Sequence, residues 1–343
     1  MEHTGQDPDL VLAGDIGGTK THLGLFSRGK GRPRLRVLAT YESRKAAGLE
    51  DLVARFMAEY PSGVRVACFG IAGPVSRGRS RTTNLPWVVS ESRLEGRFNL
   101  ACVRLLNDLA ATAWALPLLR SREQTPINRA RGRKGGNLAL VAPGTGLGEA
   151  FVVWDGKGYL PVSSEGGHAD FSPGSRDEIG LWEYLHERYG HVSMERILSG
   201  PGLLNLYSWL RDSGRFEESA RVAKRIAEED PPRVISEEGL MGRDPLCSKV
   251  LEHFVSILGA EAGNLALKGL ALGGVYLGGG IPPKILERLK NGPFMAAFTR
   301  KGRFANLMER IPVRVILNQR AALLGAAHYA FQCLSGPLAG KTG

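Results

Sequence analysis

The chain has 343 residues, of which 43% are hydrophobic, and a formal charge of +11 at pH 7, so it is long enough for two cored domains. Such a charge would suit a nucleic-acid binder, but the arginines cluster at Arg77, Arg79 and Arg81 and at Arg129, Arg131 and Arg133 beside Lys134, in Gly- and Ser-bearing segments without interleaved aromatics. That pattern reads as solvated loops that attract polyphosphates, with no nucleic-acid partner.

Residues 11–26, VLAGDIGGTKTHLGLF, predict a buried strand, a tight turn and a returning strand. GDIGGTKT departs from the P-loop pattern in having Thr19 at the second glycine, and the alternation of Thr21, Leu23 and Leu25 predicts a strand where a P-loop needs a helix. A third strand is expected at 35–41 and a helix at 49–60, stopped by Pro61 and Gly63. The continuous apolar run 64–71 predicts a strand covered on both faces. Residues 102–106 predict another such strand, and 108–116 a helix closed by Pro117.

The polar, breaker-rich stretch 121–136 reads as a link to a second lobe. There the opening pattern returns: strand 138–142, the turn Pro143-Gly144-Thr145-Gly146, and strand 149–154. Two strand, Gly-turn, strand units imply two lobes on one plan. The expected domains are 1–118, completed by a helix within 319–343, and 119–318. A capping box of Ser175 and Glu178 opens a helix over 175–190, with Ile179, Trp182, Leu185 and Tyr189 as its buried stripe. A helix over 246–272, a short strand 275–277, a strand 313–317 and an Ala-rich helix 320–331 complete the reading. That last helix is placed to pack on the first lobe.

Cys68, Cys102, Cys247 and Cys333 have no zinc-knuckle or redox spacing, which suits reduced cytosolic thiols. The polar start, MEHTGQDPDL, lacks a secretion signal, and the longest weakly polar run, 262–281, contains Lys268, Asn264 and several glycines, so no membrane partner is expected. We expect a cytoplasmic homodimer.

Three places could carry chemistry. The Gly-Gly turn can direct backbone amides at a phosphate, with Thr19 adding a hydroxyl and Asp15 holding magnesium; an ordinary hairpin with a solvated Asp is the alternative. Asn107-Asp108 ends a strand, where ligands gather in open α/β sheets, so Asp108 either caps the next helix or accepts a proton from a substrate hydroxyl, or both. Ser164-Glu165-Gly166-Gly167-His168 concentrates hydrogen-bonding groups that suit a neutral polyol, with a metal site as its rival. Glu195, two residues after a possible Ser193 cap, reads from spacing alone as a structural helix-start acid. No serine-nucleophile elbow is present.

Taken in order, GDIGGT at 14–19, GIAGPV at 70–75, TNLPW at 83–87, LNDLAA at 106–111, APGTGLGEAF at 142–151, SSEGGHADFSP at 163–173, HVSMERILSGPGL at 191–203 and YLGGGI at 276–281 resemble the bacterial glucokinase family. The resemblance implies an α/β, two-lobed hexokinase/actin-like (ribonuclease H-like) fold with the ligand cleft between lobes. It also implies an ATP-dependent glucokinase that uses Mg2+ and makes glucose 6-phosphate, the first step of glycolysis. Gly14, Asp15, Ile16, Gly17, Gly18 and Thr19 would form the first phosphate loop, with Asp15 serving the metal. Gly144, Thr145 and Gly146 would form the second, and Gly278, Gly279 and Gly280 would border the adenosine. Asn107, Glu165, His168 and Glu195 would bind glucose, Asn84 would border it, and Asp108 would be the base. The related ROK family carries zinc-binding cysteines after its glucose-contacting histidine; here Ala169-Asp170-Phe171 follows, and no structural zinc is expected. A sugar sensor without catalysis and an actin-like polymerising ATPase are the alternative readings.

Overall fold

The computed structural model describes residues 10–335, and the polar start of the chain lies outside them. Within the described residues the chain divides into two compact units, 10–120 with 318–335, and 121–317.

The first unit opens with β1 (Leu10–Ile16), β2 (Lys20–Ser27) and β3 (Arg34–Glu42), followed by α1 (Leu49–Glu59) and β4 (Val66–Ile71). Three short strands come next, β5 (Val75–Ser76), β6 (Arg79–Arg81) and β7 (Val88–Ser90), then α2 (Glu91–Phe98), β8 (Cys102–Asn107) and α3 (Asp108–Ala115). The main sheet runs β3-β2-β1-β4-β8. Its first three strands are antiparallel, while β1, β4 and β8 are parallel.

Every residue of β4 is buried, as its unbroken apolar run requires of a strand with both faces covered. On one face Leu12, Ile16, Phe69 and Leu105 pack with Leu49, Leu52, Val53 and Phe56 of α1. On the other, Val11, Ala13, Val66 and Cys68 meet Leu323, Ala326, Ala327 and Ala330 of the C-terminal helix Ala321–Ser335. The period-two alternation of β1 thus divides its side chains between two cores.

The second unit begins with β9 (Gln124–Pro126), β10 (Leu138–Pro143), β11 (Leu147–Trp154) and β12 (Tyr159–Ser164). Helices α4 (Arg176–Tyr189), α5 (Gly200–Asp212), α6 (Ala220–Glu228), α7 (Pro231–Leu240) and α8 (Pro245–Lys268) precede β13 (Gly274–Leu277) and β14 (Val313–Ile316). The sheet order is β12-β11-β10-β13-β14-β9. Again an antiparallel trio continues into parallel strands, so the plan of the first unit recurs.

Three expectations need correction. The stretch 121–136 is more than a link, because β9 lies within it and pairs with β14. Arg79 and Arg81, read as loop residues, lie on β6, where both are exposed. On α4 the expected stripe holds only in part: Leu185 is buried and Trp182 packs against the core, but Ile179 and Tyr189 are 49% and 39% exposed, while Glu178 and Leu181 are buried. Glu178 accounts for the shift. Its carboxylate turns back to accept the Gly174 N–H at 2.7 Å, which lets an acid sit on the buried face, while Ser175 Oγ accepts the Glu178 N–H at 3.2 Å.

Candidate active site

In the first unit, register brings the reactive groups together. Ile16 pairs with Ile71, and Ile71 pairs with Asn107, so β1, β4 and β8 end side by side. Asp15 and Asp108 therefore stand at the carboxyl ends of two strands separated by β4 alone. The residue between them is Gly70, opposite Asp15 in the ladder; a Cβ there would lie 3.0 Å from the Ala111 Cβ and 3.9 Å from the Asp108 Cα. Sequence reasoning missed Gly70 as a spacer. Its signal was a glycine near the end of a fully buried strand.

Asn107 caps α3: its Oδ1 accepts the Leu109 N–H at 2.9 Å, and its Nδ2 donates to the Gly73 carbonyl at 3.1 Å. Asp108 Oδ1 accepts the same Leu109 N–H at 2.9 Å. With the cap supplied by Asn107, Asp108 is the first helical residue. Burial raises the Asp108 carboxyl above the usual carboxylate range, against the Leu109 amide, which favours the charged form. Asp15 is pushed up to about 6 by burial and then by the neighbouring Asp108 charge.

The β1–β2 turn is closed by Gly17 N–H donating to the Lys20 carbonyl at 3.0 Å. Ser43, which sequence reasoning did not single out, braces it from below. Its hydroxyl donates to the Gly17 carbonyl at 2.7 Å and lies 3.0 Å from Thr21 Oγ1, and its N–H donates to the Thr19 carbonyl at 3.0 Å. Asn84 lies against Gly18, 2.7 Å from where a Cβ would stand, so it adjoins the phosphate-type turn.

In the second unit, the turn 144–146 is closed by Gly144 N–H donating to the Gly146 carbonyl at 2.8 Å. Val141 pairs with Leu277, which places the 278–280 turn beside it. Gly279 must be glycine twice over: its φ is +77°, and a Cβ would overlap the Pro143 carbonyl.

Glu165, His168 and Glu195 belong to two 3₁₀ turns, Gly166–His168, which follows Glu165 directly, and Met194–Arg196. The turns are laced together by Phe171 N–H to the Val192 carbonyl at 2.8 Å and Met194 N–H to the Ala169 carbonyl at 3.0 Å. As a result Glu195 Oε1 lies 4.0 Å from His168 Nδ1, while Oε2 accepts the Leu147 N–H at 2.9 Å. Glu195 does lie in the first turn of a 3₁₀ helix, as its spacing suggests, but Ser193 makes no side-chain cap and the Glu195 carboxylate reaches across to the start of β11. Glu165 and His168 are exposed. Asp170 pairs with His191 at 2.9 Å.

The family model for Glucokinase matches residues 12–333. A glucokinase of Synechocystis sp. is 41% identical over 94% of this chain and 98% of its own length. The chain belongs to the glucokinase family. Among solved structures, a glucokinase from an Antarctic psychrotroph superposes with a TM-score of 0.85 at 29% identity, covering 94% of this chain and 99% of that one. A ROK-family glucokinase from Streptomyces griseus, at 22% identity and a TM-score of 0.62, shares the fold over 94% of this chain and all of its own. The fold is accordingly the mixed α/β, actin-like fold of glucokinases and ROK sugar kinases. Among the described residues no helix is long and apolar enough to cross a membrane.

Proposed function

We propose that this protein is an ATP-dependent glucokinase that transfers the γ-phosphoryl group of MgATP to the 6-hydroxyl of D-glucose, giving glucose 6-phosphate and ADP. The observation that carries the reading is the pair of carboxylates, Asp15 and Asp108, set at the ends of β1 and β8 by the register of three parallel strands. Sugar phosphorylation needs one carboxylate for the acceptor hydroxyl and one beside the phosphates, and this sheet supplies both. Family membership supports the substrate assignment.

Asp108 takes the proton of the 6-hydroxyl as the glucose oxygen bonds to the γ-phosphorus and the bond from that phosphorus to the β,γ-bridging oxygen breaks, leaving the electron pair on ADP. Its raised pKa makes it a stronger base than a solvated aspartate. Asn107 fixes the helix start from which Asp108 projects. Glu165, His168, Glu195 and Asn107 orient the sugar hydroxyls, and Asn84 borders the sugar. The turns 14–19 and 144–146 hold phosphate oxygens through backbone amides, and 278–280 offers a side-chain-free backbone to the adenosine. Because the transition state is loose, such positioning and charge stabilisation carry most of the catalysis.

Asp15 fits a divalent cation. It is a buried carboxyl driven toward its neutral form by a like charge, and a cation would reverse that drive. Mg2+ there would be held by this one carboxylate together with waters and substrate phosphates. Bound there, the cation would neutralise charge on the transferring phosphates. We place the enzyme in the cytoplasm as a homodimer at the first step of glycolysis.

The test is a coupled assay for ADP with a panel of hexoses against MgATP, MgGTP and polyphosphate. Glucose-dependent ADP release is expected. Hydrolysis independent of sugar would favour the polymerising ATPase, and binding of glucose without turnover the sensor.

A further inference from the structure

Glu149 on β11 is a carboxylic acid in an apolar place. It is 3% exposed, and its Oε1 has no hydrogen-bond partner among the described residues. An orphaned buried polar atom is destabilising, a cost that a valine or leucine at this position would not incur. Its surroundings tie it to the sugar loop. In the antiparallel ladder Glu149 stands opposite Ser164, the last residue of β12, whose Oγ accepts the Gly166 N–H at 2.9 Å. The Glu149 carboxylate itself lies against Gly166, so closely that a Cβ there would overlap Oε2. Gly166 joins Glu165 to the turn that carries His168.

We propose that Glu149 is a positioning residue for hexose recognition, its carboxyl group forming the floor on which Gly166 rests and so fixing where Glu165 and His168 present their side chains. The inference rests on the assignment of those two residues to glucose. The groups around Glu149 favour the neutral form. From α8 come Glu261, itself 3% exposed, and Lys268. Glu261 Oε2 accepts from Asn264 Nδ2 at 2.8 Å, and Lys301 Nζ donates to Asn264 Oδ1 at 2.6 Å. β10 contributes the uncharged Val141, β12 contributes Ser164, and the supported turn carries Glu165 and His168. Burial, then Glu261, raise the Glu149 carboxyl to about 8, with Lys268 opposing. Ionisation would set a second negative charge beside Glu261 in a buried site and press on the Gly166 turn that the carboxyl touches.

Three proteins test this: wild type, Glu149→Gln, which keeps size and neutrality, and Glu149→Ala, which removes the floor. In wild type the KM for glucose is expected to rise several-fold between pH 7.5 and 9.5 while the KM for ATP stays within twofold. Glu149→Gln should hold the neutral-pH glucose KM across that range, and Glu149→Ala should raise it at least tenfold at pH 7 with little change in the KM for ATP. An alkaline rise retained in Glu149→Gln, or an unchanged glucose KM in Glu149→Ala, would overturn the proposal. Hydrogen–deuterium exchange of a peptide spanning 163–170 needs no turnover. Faster exchange in Glu149→Ala than in wild type and Glu149→Gln is expected, and equal exchange in all three counts against the role. Failure of the glucokinase reading would show separately, as wild type that releases no ADP with glucose.

Discussion

Leu147 donates its backbone N–H to Glu195 Oε2 at 2.9 Å, a bond that spans 48 residues and ties the Met194–Arg196 turn to the first residue of β11. Glu195 therefore does two things, anchoring that strand end with one oxygen and turning the other toward His168. The two roles separate by substitution. Glu195→Gln retains an acceptor for Leu147 and should unfold at a temperature close to wild type, whereas Glu195→Ala leaves the amide unpaired at about 1–3 kcal/mol. Both variants should raise the glucose KM at least tenfold, and a thermal melt beside the coupled assay checks the pair.

The parts of this molecule that were legible in the sequence are those where one physical requirement dominates. The unbroken run in β4 could only be a strand buried on both faces, and it is. The repeated strand, Gly-turn, strand pattern announced the two sheets. What failed was whatever depends on a distant partner. The α4 stripe was half misplaced: Leu185 and Trp182 face the core, but Glu178, satisfied by Gly174, faces inward where Ile179 was expected. β9 was invisible because three residues, Gln124–Pro126, become a strand only through pairing with β14, nearly 190 residues on. What Glu195 touches was beyond the reach of spacing for the same reason. The amide it accepts from belongs to another part of the chain, and only the family resemblance promoted it.

Asp108 and Asn107 share the Leu109 amide, so the proposed base is held at the helix start without carrying the cap alone. Replacing Asp108 by Asn keeps an oxygen for that bond while removing the proton acceptor. Glucose affinity by calorimetry should stay within a few-fold of wild type, and kcat should fall by about 10² to 10⁴. Near-normal turnover would assign the base elsewhere.

Gly279 offers a test of the nucleotide side. With φ at +77° and the Pro143 carbonyl where a Cβ would stand, Gly279→Ala must shift the 278–280 turn away from the 144–146 turn. The left-handed backbone alone costs about 1–2 kcal/mol for a residue with a Cβ. The KM for ATP should rise at least tenfold and the KM for glucose less than twofold. An equal rise in both would place the turn outside nucleotide binding.

Glu149 makes a prediction about stability that is independent of any ligand. In the unfolded chain a glutamate releases its proton near 4.5, but in the folded protein this one keeps it until about 8. Between those values folding takes up a proton, so wild-type stability declines as pH rises, by up to about 1.4 kcal/mol per unit from this group, and the loss is complete above pH 8. Glu149→Gln has no such proton to hold. Whatever fixed cost its amide brings is the same at every pH, so the informative quantity is the change in the difference between the two proteins. Urea unfolding at pH 5 and pH 8 should show Glu149→Gln gaining on wild type by on the order of 3 kcal/mol over that interval. Parallel stability curves would mean that Glu149 is ionised in the folded protein and that a counter-charge reaches it.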